Sequence, residues 1–327
     1  MNKYSVGVDI GGTNVTLALV TRKGKIVKKI RFPTRVEEGK AKTIKRIIKA
    51  LGEVMEGLSL ESIEGIGIGA AGDIDQDKGI VRFSPNLFWK NVPLVRLIKK
   101  KFNTKVVLDN DANAAAWGTY VLETKRKIKN LLCITLGTGV GGGLIINGGI
   151  YHGASGTAGE IGHITVDPQG QKCNCGNYGC LETYVGAAYI VKKAIKEIKK
   201  GEKSLIKKLA RGNLHSITSQ TIQAAALKGD KLARRIWKEV GEYLGIGLSG
   251  VINLLNPEVI VFGGGVTRAQ ELIFKPMRAE LRKRAFVVPF EKVKFTHTKF
   301  GADLGVIGAA LLTLQGNRES TCPRLKS

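Results

Sequence analysis

Tyr4-Ser-Val-Gly-Val-Asp-Ile-Gly-Gly-Thr-Asn14 opens the chain with a short apolar run of strand type that ends in a glycine turn. The design returns at Leu131-Leu-Cys-Ile-Thr-Leu-Gly-Thr-Gly-Val-Gly-Gly-Gly143, and a third apolar run ends in glycines at Val259-Ile-Val-Phe-Gly-Gly-Gly265. The first two continue into a second apolar run, Val15 to Val20 and Leu144 to Ile146, and then another turn, Arg22-Lys-Gly24 and Asn147-Gly-Gly149. Each reads as a hairpin. One glycine-turned hairpin at the head of each half points to a duplicated domain.

Outward from the first hairpin, a helix pattern runs from about Lys40 to Leu58, followed by a strand at Ile63 to Ile68 and a loop containing Ser84-Pro-Asn86. A helix near Leu94 to Phe102 precedes the strand Lys105 to Leu108 and a loop at Asp109 to Asn113. Such alternation defines an α/β protein. The second half inserts a Cys- and Gly-rich loop, Gly153 to Cys180, and is mainly helical from Glu182 to about Leu255. A strand at Val259 to Phe262 and a closing helix at Leu304 to Leu314 follow, and the polar residues Gln315 to Ser327 read as a frayed tail.

The 327 residues suit two domains of about 150 residues each. Hydrophobic residues at 43% and charged residues at 24% exclude wholesale disorder. The uncharged stretch Leu131 to Tyr151 is too rich in glycine for a membrane-spanning helix. Met1 to Val8 passes straight into a strand, without the charged and apolar regions of a signal peptide, so a cytoplasmic protein is expected. Lys and Arg number 52 against 27 Asp and Glu, a formal charge of +25. The cations are mostly lysines spread over apolar-periodic segments such as Ile44 to Leu51, Leu97 to Phe102 and Ile190 to Leu209, which read as solvated helix faces. With aromatic residues at only 6%, neither a nucleic-acid nor a membrane partner is expected.

A glycine turn after a strand lets backbone N–H groups approach phosphate oxygens with no Cβ in the way. Gly11, Gly12 and Thr13 are placed to do so in the first half, and Gly137, Thr138, Gly139 and Gly141 to Gly143 in the second. A tight hairpin without a ligand accounts for either turn taken alone. The dinucleotide fingerprint is excluded, since Gly139 leads into more glycines and a strand rather than a helix, and the P-loop lysine is absent. What remains is two facing hairpins that hold a nucleoside triphosphate between two domains. Asp9 then lies near the phosphates and a magnesium ion, unless it only caps its own turn.

His163, Cys173, Cys175 and Cys180 offer three thiolates and an imidazole, a closed tetrahedral zinc set. A disulfide is the other reading, and it suits poorly an apparently cytosolic chain whose remaining cysteines are Cys133 and Cys322. With no open position such a zinc is structural. If it takes one ring nitrogen of His163, the other becomes a fixed N–H donor toward a ligand hydroxyl. Glu160 and Glu182 are near in sequence and can accept from neighbouring hydroxyls, a set that suggests a sugar. Asp109-Asn-Asp-Ala-Asn113 follows a strand at its carboxyl end, where ligands of open α/β sheets bind. An Asp flanked by Asn can orient a hydroxyl and take its proton during phosphoryl transfer, although an ordinary Asx turn has the same composition.

Asp9-Ile-Gly-Gly-Thr-Asn14, Asn110-Asp-Ala-Asn113, Leu136-Gly-Thr-Gly139, Gly159-Glu-Ile-Gly-His163, Cys173-x-Cys-Gly-x-x-Gly-Cys-Leu-Glu182 and Asn256-Pro-Glu-Val-Ile-Val-Phe-Gly-Gly-Gly265 together resemble the ROK family of repressors and sugar kinases, over about residues 4 to 314. The wording Gly159-Glu-Ile-Gly-His-Ile-Thr-Val-Asp-Pro168 is most similar to the bacterial glucokinase branch. The resemblance implies an actin-like ATPase (ribonuclease H-like) fold, a duplicated two-domain α/β architecture with an interdomain cleft. It implies a small domain of residues 1–115 plus about 304–316, a large domain of 116–303 with a zinc-binding loop at 153–182, and a flexible tail at 317–327.

The implied activity is ATP-dependent phosphorylation of the 6-hydroxyl of D-glucose, a cytoplasmic and glycolytic reaction. Asp111 becomes the general base, and Asn86, Asn110, Asp111, Glu160, His163 and Glu182 bind the sugar. Asp9, Gly11, Gly12, Thr13 and Asn14, with Gly137, Thr138 and Gly139, hold Mg2+ and the ATP phosphates, while Gly264 and Gly265 lie near the adenosine. Structural Zn2+ sits on His163, Cys173, Cys175 and Cys180, and family habit implies a homodimer or tetramer. Alternatives are another hexose (N-acetylmannosamine, N-acetylglucosamine, fructose or allose) or a non-catalytic sugar-binding regulator. Two departures stand out: Ala70-Ala-Gly-Asp73 replaces a Pro-Gly-Pro-like turn, and His152 stands where arginine is common. Only three residues precede the first strand, which leaves no expected room for the DNA-binding domain of repressor members.

Overall fold

The computed structural model describes residues 3–315, so the tail expected at 317–327, with Cys322 in it, lies outside the described residues. The chain divides into two compact units, 3–125 with 303–315, and 126–302. Among the described residues no helix is long and apolar enough to cross a membrane.

The first unit contains strands β1 (Tyr4–Ile10), β2 (Asn14–Thr21), β3 (Ile26–Pro33), β4 (Ile63–Ala70), β5 (Asp73–Asp75), β6 (Ile80–Ser84), β7 (Trp89–Val92) and β8 (Val106–Asn110). Five of them form a sheet of order β3-β2-β1-β4-β8, antiparallel from β3 to β1 and parallel from β1 to β8. Helix α1 (Lys40–Met55) turns Ile44, Ile47, Leu51 and Val54 inward at helical spacing onto a core that includes Val6, Val8, Ile66 and Ile68. Each such fully buried aliphatic side chain contributes roughly 1.5–3 kcal/mol. Gly57, in the left-handed region at φ 78°, follows the end of α1 and explains why the helix stops at Met55, short of Leu58.

Helices α2 (Leu94–Lys99) and α3 (Asp111–Leu122) complete the unit with the closing helix Leu304–Leu311. That closing helix lies against the sheet only because glycines leave space for it. Gly7 of β1 and Gly67 of β4 are register partners, and a Cβ on either would collide with its backbone, at Val306 and Ala309 respectively. Gly118 of α3 likewise abuts Gly308, where a Cβ would sit 2.8 Å from the Gly308 Cα.

The boundary expected at 115/116 falls inside α3, which packs on the closing helix; the compact unit runs to Lys125 and resumes at Asp303. One expectation is corrected here. The loop expected at Asp109 to Asn113 is instead the end of β8 and the first turn of α3, because Asn110 caps the helix. The stretch around Ser84-Pro-Asn86 also carries an unexpected three-stranded sheet, β5-β6-β7.

The second unit repeats the plan with β9 (Leu131–Leu136), β10 (Val140–Ile146), β11 (Gly149–Ile150), β12 (Val259–Gly263) and β13 (Lys294–His297), in the order β11-β10-β9-β12-β13. Again an antiparallel hairpin leads into parallel strands, β9 to β12 to β13, the topological mark of duplication. Its helices are α4 (Glu182–Val185), α5 (Ala187–Lys199), α6 (Leu205–Leu209), α7 (Ser219–Leu227), α8 (Lys231–Leu255), α9 (Glu271–Arg284) and α10 (Val287–Lys292). Asp230 caps α8 by accepting from the Ala233 N–H at 2.8 Å, and Asn256 ends it in the left-handed region at φ 42°. Along α8, Gly241 and Gly245 admit α9 so closely that a Cβ on either would meet Pro276 or Met277.

Candidate active site

In the first unit, β1 delivers Asp9 to the lip of the turn Gly11-Gly12-Thr13. The turn closes through the Gly11 N–H, which donates to the Asn14 carbonyl at 3.0 Å, and Thr34 ties it from outside through bonds to the Thr13 and Gly11 carbonyls. The backbone N–H groups of Gly12 and Thr13 make no hydrogen bond among the described residues, as a phosphate cradle requires. A Cβ on Gly12 would lie 3.0 Å from the Asn86 carbonyl oxygen, so glycine there lets the loop after β6 bring Asn86 against the turn. Expected from separate stretches of sequence, Asn86 and the turn are neighbours.

Asp9, Gly69 and Asp109 share one register across β1, β4 and β8, and the side-chain-free Gly69 leaves Asp111 close to Asp9. The Asp9 carboxylate accepts no hydrogen bond among the described residues. Burial, then repulsion from Asp111, pushes it up to about 7 against a weaker pull from Arg31. A partly buried carboxylate with no hydrogen-bond partner suits a divalent cation, which supplies the missing charge. Gly305, in the first turn of the closing helix, makes room for it: a Cβ there would be 2.6 Å from Asp9 Oδ2.

Asp111 is the first residue of α3. Its Oδ1 accepts from the Ala112 N–H at 2.9 Å, and its second oxygen has no partner among the described residues. Burial raises the Asp111 carboxyl above the ordinary carboxylate range, and the Ala112 bond only partly offsets this. The neighbouring Asn110 is committed to the fold: its Oδ1 accepts from the Ala112 and Asn113 N–H groups at 2.8 and 3.3 Å, and its Nδ2 donates to the Gly72 carbonyl at 3.1 Å. One Nδ2 hydrogen is left for a ligand. Asp109, fully buried, accepts at 2.8 Å from the Asn110 N–H, at 3.0 Å from Asn113 and at 3.4 Å from Gln76. Gln76 had no sequence signal at all, being one polar residue after a three-residue strand.

In the second unit, the turn Gly137-Thr138-Gly139 joins β9 to β10 and closes through the Gly137 N–H to the Gly139 carbonyl at 3.0 Å. Gly264, at φ 92°, packs on the Leu136 backbone beside this turn, with Gly265 following it. Glu182 heads α4, and its Oε2 accepts from the Val140 N–H at 2.9 Å; a Cβ on Gly139 would collide with that oxygen. One residue expected on the sugar therefore also fastens the second glycine turn.

His163, Cys173, Cys175 and Cys180 converge with all four ligand atoms within 4.8 Å of one another. Cys173 Sγ lies 3.8 Å from His163 Nδ1, and the Cys175 and Cys180 sulfurs are 3.6 Å apart. Tetrahedral zinc with Zn–S of about 2.3 Å and Zn–N of about 2.0 Å requires ligand separations of roughly 3.5–3.8 Å, which these two pairs match, and three thiols with an imidazole are the donor set zinc prefers. Nδ1 is the ring nitrogen inside the cluster. Nε2 points away, 3.9 Å from Glu160 Oε2, a gap one hydroxyl oxygen can bridge. Burial pushes the Cys180 thiol up to about 12 and raises Cys173, so a cation that takes the thiolates works against a real desolvation cost.

A family model described as the ROK family matches residues 5–316. The chain belongs to the ROK family. It is 39% identical to the glucokinase of Thermotoga maritima over 310 residues, 93% of this chain and 95% of that one. A ROK family glucokinase from Streptomyces griseus, solved in complex with glucose and AMPPNP, superposes with a TM-score of 0.84 at 33% identity, covering 96% of this chain and 100% of that one. The xylose repressor of Caldicellulosiruptor bescii is 30% identical over 311 residues, 94% of this chain and 77% of that one. The actin-like ATPase fold implied by the motifs is thus the fold of this ROK protein, and the duplicated sheets follow from it.

Proposed function

We propose that the chain is an ATP-dependent hexokinase that phosphorylates the 6-hydroxyl of D-glucose. The observation that carries the reading is Asp111: a carboxylate fixed through one oxygen by the first turn of α3, with its other oxygen unpartnered among the described residues and its proton affinity raised by burial. The glucokinases among its relatives, one of them solved with glucose and AMPPNP, supply the substrate class.

In this mechanism Asp111 orients the 6-hydroxyl and takes its proton as the oxygen attacks the γ-phosphorus of ATP; the bond to the β,γ-bridging oxygen breaks and ADP leaves. Asn86, the remaining Nδ2 hydrogen of Asn110, Glu160, His163 Nε2 and Glu182 bind the other sugar hydroxyls. The N–H groups of Gly12 and Thr13 and of Thr138 and Gly139 hold the phosphates, while Gly11 with Asn14, and Gly137, close the two turns that present them. Asp9 holds magnesium, which neutralises charge on the triphosphate. Gly264 and Gly265 face the adenosine. Zinc on His163, Cys173, Cys175 and Cys180 shapes the loop that presents Glu160 and His163 Nε2, and performs no chemistry. Metal thiolates of this kind suit the reducing cytoplasm. As in the family, the working form is a dimer or tetramer.

ADP release coupled to a reporter enzyme, with D-glucose, fructose, allose, N-acetylglucosamine and N-acetylmannosamine in parallel, tests the reading. The highest kcat/KM is expected for D-glucose. ADP release no faster with any hexose than with none would favour a sugar-binding regulator instead.

A further inference from the structure

The second unit holds a pocket of about 410 Å³ lined by none of the residues assigned above. Its floor is apolar, with Ile236 and Val240 of α8, and its charged wall is one face of α5. Lys193 on that wall is paired with Glu239, and Glu197 with Lys200 at 3.0 Å. Lys192 and Lys196 remain, one helical turn apart, with no acidic partner within 4.0 Å among the described residues. Like charges at this spacing repel, and an anion seated between them relieves the repulsion while completing a polar mouth over an apolar floor.

We propose that this pocket binds a small phosphomonoester through Lys192 and Lys196, and that its occupancy is felt at Glu182. The connection is short. Thr183 and Tyr184, the next two residues of α4, line the pocket. They are firmly held: the Thr183 carbonyl accepts from Gln171 Nε2 at 2.6 Å, and the Tyr184 hydroxyl donates to Asp167 at 2.6 Å while its ring stacks on Tyr243 at 3.7 Å. A ligand that moves this one-turn helix moves Glu182, and with it the Val140 N–H that Glu182 holds. The effect on sugar affinity rests on the hexokinase reading; the binding itself does not.

The test uses the zinc-loaded full chain with its catalytic site filled by glucose and a non-hydrolysable ATP analogue. Phosphorus-31 line broadening is measured for glycerol 3-phosphate and for inorganic phosphate, on the wild type, on Lys192→Gln/Lys196→Gln, and on the single Lys196→Glu. Broadening of glycerol 3-phosphate by the wild type, weakened at least tenfold in both variants, supports the site. Equal broadening in all three, or none in the wild type, overturns it. Phosphate broadened as strongly as the ester would overturn the claim that the apolar floor contributes. In a second arm, glucose affinity is read from tryptophan fluorescence: a shift of about threefold or more with glycerol 3-phosphate in the wild type alone supports the coupling, and no shift overturns it. A chain that binds no glucose would sink the hexokinase reading, while the phosphorus arm would still decide the pocket.

Discussion

Glu182 Oε2 accepts a hydrogen bond at 2.9 Å from the Val140 N–H, so the residue just past the cysteine loop holds the first residue of β10. Two groups proposed for different substrates, a sugar carboxylate and a phosphate turn, are mechanically one piece. A hydrogen bond to a charged group is worth about 1.5–3 kcal/mol. Glu182→Ala is therefore expected to weaken both glucose and ATP, each KM rising roughly 10- to 100-fold, with faster amide exchange at Val140. A change confined to the glucose KM would show that the bond to Val140 carries no load.

Gly305 is sensitive to the addition of a single carbon atom. Its missing Cβ is the space that Asp9 Oδ2 occupies, 2.6 Å from where that atom would be. Gly305→Ala should displace the carboxylate by a fraction of an ångström and lower kcat/KM for Mg-ATP about a hundredfold, with glucose affinity unchanged. Steady-state kinetics at varied Mg-ATP read this directly; wild-type values would place Asp9 outside the magnesium site.

Asp9 also sets a pH dependence of stability. Its folded pKa of about 7 lies above the unfolded value of 3.8, so the native state binds the extra proton between those limits and stability falls as pH rises through that window. Above pH 7 the full cost is present, on the order of 4 kcal/mol; near pH 4 it vanishes. Asp9→Asn removes the charge and should stabilise the apoprotein at pH 8 but leave it little changed at pH 4.5. Denaturant titrations at the two pH values, in the absence of magnesium and nucleotide, check the sign; a variant less stable than the wild type at pH 8 would contradict it.

For the cysteine cluster the expectation is about one zinc per chain. Cys175→Ser should lose the metal, lower the melting temperature and weaken sugar binding, because the loop carrying Glu160 and His163 is built around it. Elemental analysis of fully active protein that found no metal would rule the site out.

The hairpins were legible because glycine punctuation and apolar runs act over a few residues, as at Ile10 to Asn14 and Leu136 to Val140. The convergence of His163, Cys173, Cys175 and Cys180 was legible because the four residues fall within one short loop. Less local facts were not. Asp109 looks like a site residue by composition, yet it is buried beneath the site and holds Asn110, Asn113 and Gln76, which only the meeting of β8, α3 and the residue after β5 reveals. Gly7, Gly67, Gly118 and Gly305 carry no pattern of their own; each is required by a partner far along the chain. Strand β13 escaped because Lys294, Thr296 and His297 are exposed on it, leaving no apolar alternation to read.

The most direct test of the account is Asp111→Asn, assayed for glucose binding and turnover on the same preparation. The amide keeps the shape of the side chain and its place at the start of α3, and it cannot take the hydroxyl proton. The predicted result is glucose affinity within about threefold of the wild type, with kcat reduced about a thousandfold or more. A kcat within tenfold of the wild type would show that Asp111 is not the base.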